Sequence, residues 1–232
     1  METTLFNYTL PERLIAQQPA AGRDTSRMLV LHRKNGHIEH RSIRDIGEFL
    51  APNDRLVMNN TRVMPARLFG QKESGGKIEL LLLREEKPDH WRVLMKSSRR
   101  PAIGSQLTFC EGQLNATMIA DGEQGEALIK FESEQPILDL LETYGLPPLP
   151  PYISRDSSEA YAADRDRYQT VYASQPGAAA APTAGLHFTP ALLSSLQAQG
   201  IQRSELTLHV GLGTFRPVST ACLLYTSPSP RD

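Results

Sequence analysis

The chain has 232 residues, 40% apolar and 22% charged, with a formal net charge of −1. That length supports one large or two modest domains, and the near-neutral balance leaves any RNA binding to local patches. No apolar run is long enough to span a membrane and Met1 to Thr4 do not open a signal peptide, while Cys110 and Cys222 are too few for a disulfide framework or a zinc site, so a cytoplasmic protein without membrane attachment is expected.

Residues 5–10 read as a strand and 11–16 as a short helix. The polar link that follows carries Arg23-Asp24, read as a loop ion pair rather than a ligand contact. Residues 26–32 form a strong strand pattern, and Asn35-Gly36 turns the chain back in a hairpin. Ser42 then caps a helix whose apolar face is Ile43, Ile46, Phe49 and Leu50, ending near Pro52. Residues 54–58 read as a buried strand that runs into Asn59-Asn60-Thr61-Arg62-Val63. Polar side chains at a strand end are where α/β folds hold ligands, although Asn and Thr also form turns that satisfy their own backbone.

Between residues 66 and 131 the pattern changes. Six short apolar runs (66–71, 78–83, 91–95, 106–109, 114–119 and 127–131) alternate with turn residues such as Gly75-Gly76, Gly104 and Asp121-Gly122. Evenly spaced short strands with no helix predict an all-β barrel or sandwich. Within them lies the densest basic patch, with Lys96, Arg99 and Arg100, which is either a solvated loop or a track for a phosphate backbone.

Helical pattern returns at 136–144, followed by a stiff proline-rich connector at 146–152 and a polar, mobile-looking stretch at 155–167. Residues 178–193 hold four alanines, Pro182, a small-residue bend with Gly185, then His187, and Thr189-Pro190 opening a new helix. A turn, an ionisable ring and a helix N-terminus this close together suit an anion or a sugar-phosphate, but also fit an ordinary strand–turn–helix with an incidental histidine. Gly200 ends the helix. Residues 205–210 read as a strand leading into Gly211-Leu212-Gly213-Thr214, which falls short of a dinucleotide fingerprint. The last residues, with Ser227-Pro228-Ser229-Pro230, follow neither the helical nor the strand period.

Several of these stretches together resemble the S-adenosylmethionine:tRNA ribosyltransferase-isomerase family of queuosine biosynthesis. The matching residues are Arg13-Leu14-Ile15-Ala16-Gln17, Asn60-Thr61-Arg62-Val63 with Pro65-Ala66-Arg67-Leu68, Leu149-Pro150-Pro151-Tyr152-Ile153 and Arg167-Tyr168-Gln169-Thr170-Val171-Tyr172. They continue with Ala181-Pro182-Thr183-Ala184-Gly185-Leu186-His187-Phe188-Thr189 and with His209-Val210-Gly211-Leu212-Gly213-Thr214-Phe215. The similarity runs from about Leu5 to Val218. Three departures stand out: the alanine run replaces a larger residue, the chain lacks the elements that follow the glycine loop in the family, and CLLYTSPSPRD reads like a translated sequencing adapter. A truncated, inactive chain with an exposed sheet edge is therefore expected, with 219–232 a non-native tail.

The resemblance implies an α/β main domain from 1–65 and 132–218, with a small all-β barrel domain inserted at 66–131. It implies transfer and isomerisation of the ribosyl part of S-adenosylmethionine onto the 7-aminomethyl-7-deazaguanine wobble base of tRNA. The product is epoxyqueuosine. S-adenosylmethionine serves as co-substrate, with no other cofactor and no metal, and the protein is expected to be a monomer.

His187 is the candidate acid/base, because histidine titrates near working pH, with Tyr168 and Thr183 positioning the ribose. Asn60, Thr61, Arg62, His209, Gly211, Gly213 and Thr214 are candidate substrate-binding residues, with Arg62 facing a carboxylate or a phosphate. Lys96, Arg99 and Arg100 are candidate RNA contacts. Which residue is base and which is acid stays open, since the amine of the modified base is itself a possible base. Two other classes compete: a non-catalytic RNA-binding module built on the barrel, and a nicotinamide oxidoreductase using the Gly211 loop.

Overall fold

The structure, a computed structural model, describes residues 2–155 and 158–211. It opens with two single 3-10 turns, Thr3–Phe6 and Glu12–Leu14, where a strand and a helix are expected from sequence. Among the described residues no strand pairs with 5–10, and Leu5, Phe6 and Tyr8 stay exposed. A third 3-10 turn, Arg23–Thr25, leads into the hairpin of β1 (Arg27–His32) and β2 (His37–Ser42), with Gly36 at φ +71° in its turn. The segment after Ser42 is a 3-10 helix, Ile43–Phe49, whose start is held by Ser42 N–H donating to Asp45 Oδ2 at 2.9 Å.

Next come β3 (Arg55–Asn59) and β4 (Thr61–Val63), then six strands: β5 (Arg67–Lys72), β6 (Lys77–Lys87), β7 (His90–Ser97), β8 (Gln106–Phe109), β9 (Leu114–Asp121) and β10 (Glu126–Glu132). These six close into an antiparallel barrel in the order β10-β7-β6-β5-β8-β9. Alternation explains the closure. In β7 and β10 every second residue is buried, so Trp91, Val93, Met95, Ala127, Ile129 and Phe131 all point to one interior. Closure also leaves no unpaired edge in this sheet. Phe109 and Phe131 meet edge to face, with ring centroids 6.4 Å apart. Cys110 lies in the same core, and burial pushes its thiol up to about 11, which leaves it unreactive at neutral pH.

Helix α1 (Ile137–Tyr144) brings Leu140 and Leu141 into the barrel's apolar cluster. Gly145 then lets the chain turn against β5, since a Cβ there would sit 1.9 Å from the Pro65 carbonyl oxygen. Pro147, Pro148 and Pro150 of the connector are buried, while Pro151 and Tyr152 are exposed.

The stretch expected to be mobile contains a second helix, α2 (Ser158–Arg167). β11 (Gln175–Ala178) pairs in parallel with β4, and β12 (Gln202–Leu206) in parallel with β3. Between them lies α3 (Pro190–Ala198), capped by Thr189 Oγ1 accepting from Leu192 N–H at 3.0 Å. It ends as a Schellman motif, with Gly200 at φ +84° and Ile201 N–H donating to the Leu196 carbonyl at 3.1 Å.

Two further expectations shift. β12 begins about three residues earlier than its sequence pattern suggests, because β3 sets its register from Gln202↔Arg55 to Leu206↔Asn59. β3 itself is only half covered: Met58 is buried, while Val57 is 64% exposed. Among the described residues the secondary structure is thus a closed barrel, a hairpin, two parallel pairs, three α-helices and seven 3-10 segments. No described helix is long and apolar enough to cross a membrane.

Candidate functional site

The amino-terminal residues have little regular structure, and side-chain bonds to and from distant segments hold them. Gln17 pairs its amide with the backbone of the Leu149–Ile153 motif, donating to the Tyr152 carbonyl and accepting from Ser154 N–H, both at 2.9 Å. Arg155 donates to the Gln17 carbonyl at 2.9 Å and grips Asp164 of α2 through Nε (2.5 Å) and Nη2 (3.0 Å). Both partners of that ion pair are almost fully buried. The Asp164 bond, opposed by burial, holds the Arg155 guanidinium above its ordinary value.

Arg23 does not pair with Asp24 as the sequence suggests. It donates to the carbonyls of Leu186 (3.0 Å), Asp166 (2.5 Å) and Arg167 (3.4 Å). Burial, then the neighbouring charge of Arg167, lowers its pKa, with Asp166 opposing. Arg167 returns a bond to the Ala20 carbonyl at 2.6 Å.

These ties surround Tyr168. Its ring is buried in one cluster with Val63, Leu149 and Ala181, so residues from four separated motifs meet at a single side chain. Burial pushes the phenol up to about 12, partly offset by a backbone bond from Ala181, so it is a donor rather than a base at neutral pH.

Tyr168 forms part of two cavities. The first, about 620 Å³, is lined by Leu10, Leu14, Leu149, Tyr152, Ile153, Thr183 and Leu186 among others, and is largely apolar. The second, about 410 Å³, sets the charged side chains of Arg23, Arg62, Glu142, Arg165 and Asp166 beside apolar residues such as Val63, Met64 and Val171. A larger cavity of about 870 Å³ lies between α3 and β12. None of the sequence-predicted site residues lines it.

The predicted residues are distributed as follows. Arg62 and Tyr168 share the charged cavity, and Thr183 and Tyr168 share the apolar one. Thr61 is fully buried, and its hydroxyl lies 2.8 Å from His209 Nδ1. The His209 ring rests on Gly177, where a Cβ would approach it to 2.8 Å. Asn60 donates to Glu205 (3.1 Å) and accepts from Thr207 (2.7 Å), which ties β12 to the β3–β4 junction. His187 is half-buried at the end of the 3-10 turn Thr183–His187, with Nδ1 3.4 Å from the Arg23 carbonyl oxygen, and lines neither cavity beside Tyr168. Gly211 is exposed, while Gly213 and Thr214 lie outside the described residues, as do residues 212–232 altogether.

In the basic patch, Lys96 and Arg99 are exposed. Arg100 instead pairs with Asp121 (Nε–Oδ1 2.5 Å) and donates to the carbonyls of Gly125 and Glu126, which pins the β9–β10 turn.

Gln17, Arg23, Glu142, Arg155, Asp164, Gln169 and Thr170 were not singled out by sequence pattern as parts of a site. Gln17, Gln169 and Thr170 stand inside the matching motifs, which is the one signal that could have found them. Gln169 clamps Val63 by accepting from its N–H (3.0 Å) and donating to its carbonyl (3.1 Å).

The model of a family described as queuosine biosynthesis protein matches residues 3–226. A crystal structure of S-adenosylmethionine tRNA ribosyltransferase from Thermotoga maritima is 34% identical in sequence to this chain, with a TM-score of 0.36. The similarity covers 90% of this chain and 59% of that one, so this chain spans well under two thirds of the relative's length.

Proposed function

The chain belongs to the queuosine biosynthesis protein family, and from that membership we propose that it transfers and isomerises the ribosyl part of S-adenosylmethionine onto the 7-aminomethyl-7-deazaguanine wobble base of tRNA. Epoxyqueuosine is the product, with adenine and methionine released, in the cytoplasm and by a monomer. The observation that supports this best is the convergence of four family-like motifs on buried Tyr168, between an apolar and a charged cavity. A substrate with a flat purine at one end and a charged amino acid at the other calls for two such environments.

In this reading the positive sulfur acidifies the protons on the neighbouring ribose carbon, and a base removes one of them. Tyr168, protonated at neutral pH, donates to a ribose hydroxyl, and Thr183 does so from the cavity rim. His187 carries the proton from outside both cavities, its Nδ1 3.4 Å from the Arg23 carbonyl oxygen. Asn60, Thr61 and His209 shape the β3–β4 junction, and Gly211, Gly213 and Thr214 receive the adenosyl group or the RNA backbone. The parallel pairs with their helices form part of an α/β main domain into which the barrel, residues 66–131, is inserted. S-adenosylmethionine labelled in the ribose, incubated with undermodified tRNA and the protein, should yield labelled tRNA and free adenine. Absence of label in tRNA would overturn the reading.

A second reading, an RNA-binding surface on the barrel, is favoured by the exposure of Lys96 and Arg99. Alanine at Lys96, Arg99 and Arg100 together should weaken tRNA binding and reduce the slope of log K against log salt by roughly 0.7–0.9 for each phosphate no longer neutralised. An unchanged slope in a filter-binding titration makes the patch an ordinary solvated loop.

A further inference from the structure

Resting on the S-adenosylmethionine reading, we propose that the charged cavity beside Tyr168 seats the amino-acid end of the co-substrate, with Arg62 and Arg165 receiving its carboxylate and Glu142 and Asp166 its ammonium. The lining carries both charge signs, three guanidiniums and two carboxylates, at one concavity of about 410 Å³. That volume lies within the roughly 300–1,000 Å³ typical of small-molecule pockets.

Arg23 is committed to three main-chain carbonyls and serves as scaffold. Arg165 spends Nη2 on the Gly145 carbonyl at 2.8 Å, which fixes its orientation toward the end of α1. Arg62 is held far more loosely: its ion pair with Glu142 spans 3.9 Å, beyond hydrogen-bond distance, and its side chain is 51% exposed. An arginine and a glutamate that face each other across a gap without closing it can take the two poles of a zwitterion between them.

Thr170 supplies an independent observation. Thr170 is among the residues that line the same cavity, it is only 4% exposed, and its Oγ1 has no hydrogen-bond partner among the described residues. Leaving a buried hydroxyl unpaired is unfavourable, and a turn of the side chain that brings Oγ1 out to a ligand in this cavity would satisfy it. A phosphate is the poorer match, because Glu142 and Asp166 would repel it. An α-amino carboxylate finds a partner for each charge.

The test is calorimetric titration of the 232-residue chain with S-adenosylmethionine, S-adenosylhomocysteine and 5′-methylthioadenosine, the last lacking the amino-acid carbons. The first two should bind about ten- to a hundredfold more tightly than the third, the range expected for charge-assisted bonds. Arg62→Met and Glu142→Gln, both at exposed positions that the fold tolerates, should each weaken S-adenosylmethionine about tenfold or more and leave 5′-methylthioadenosine unchanged. Equal affinity for all three compounds, or unaltered S-adenosylmethionine binding in both variants, overturns this assignment while leaving the proposed reaction intact. Loss of tRNA affinity alone in Arg62→Met assigns the cavity to phosphate. Failure of all three compounds to bind overturns both the assignment and the S-adenosylmethionine reading.

Discussion

Replacing His187 with alanine is expected to lower ribosyl transfer by about 10²–10⁴-fold, the range that a positioned acid or base contributes. The placement of the ring makes a sharper version possible. Nδ1 faces the Arg23 carbonyl at 3.4 Å, so a purely structural His187 would be replaceable by asparagine, whose amide N–H reaches a similar point. An acid/base His187 would not be, because asparagine has no group that titrates near neutral pH. His187→Asn should therefore melt with the parent protein yet be as inactive as His187→Ala, with the pH dependence of turnover flattened in both. Activity within a few-fold of the parent in His187→Asn would leave the ring a scaffold and move the proton transfer to the substrate amine.

Breaking the Arg155–Asp164 pair should have the largest effect on stability. Both side chains are under a tenth exposed, and the two-point contact satisfies the guanidinium and the carboxylate together. Asp164→Asn keeps the shape but leaves a buried cation without its counter-charge, which costs about 3–5 kcal/mol in comparable pairs. Urea denaturation near neutral pH measures this, and a loss below about 1 kcal/mol would mean that the pair is far better solvated than the structure shows. A double replacement, Arg155→Met with Asp164→Leu, should recover much of the stability, since neither charge is then stranded. It should not recover function. Arg155 also holds the Gln17 carbonyl, and with it the arm that carries Leu10 and Leu14 to the apolar cavity.

The barrel was legible in the sequence because its signals are local. Alternating apolar residues over four to eight positions, punctuated by glycine turns, define strands whatever their partners. The same holds for the Asn35-Gly36 hairpin and for α3, whose cap, first proline and terminal glycine all lie within twelve residues. Segments with weaker local signals went differently. Residues 5–16 carry an apolar pattern but find no partner strand among the described residues, so they form single 3-10 turns, and the Gln17 side chain just after them bonds to backbone groups over a hundred residues away. Helix α2 has no apolar face to advertise it, and Asp164 links it to Arg155 through a buried pair that composition reads as mere polarity.

The candidate site divides along the same line. Sequence alone singled out the candidate motifs, because glycine, proline, histidine and paired amides stand out wherever they occur. It also placed Arg62, Tyr168 and Thr183 among the candidates. Only the tertiary structure decided how these residues associate, because hydrogen bonds and burial depend on which segments meet. It joined Thr61 to His209, put Tyr168 between an apolar cavity and a charged one, and turned Arg23 from an expected ion pair, and Arg100 from an expected RNA contact, into anchors for backbone carbonyls. It alone left the Thr170 hydroxyl buried and unpaired beside Arg62, since an unmet hydrogen bond exists only once the surroundings have closed around it.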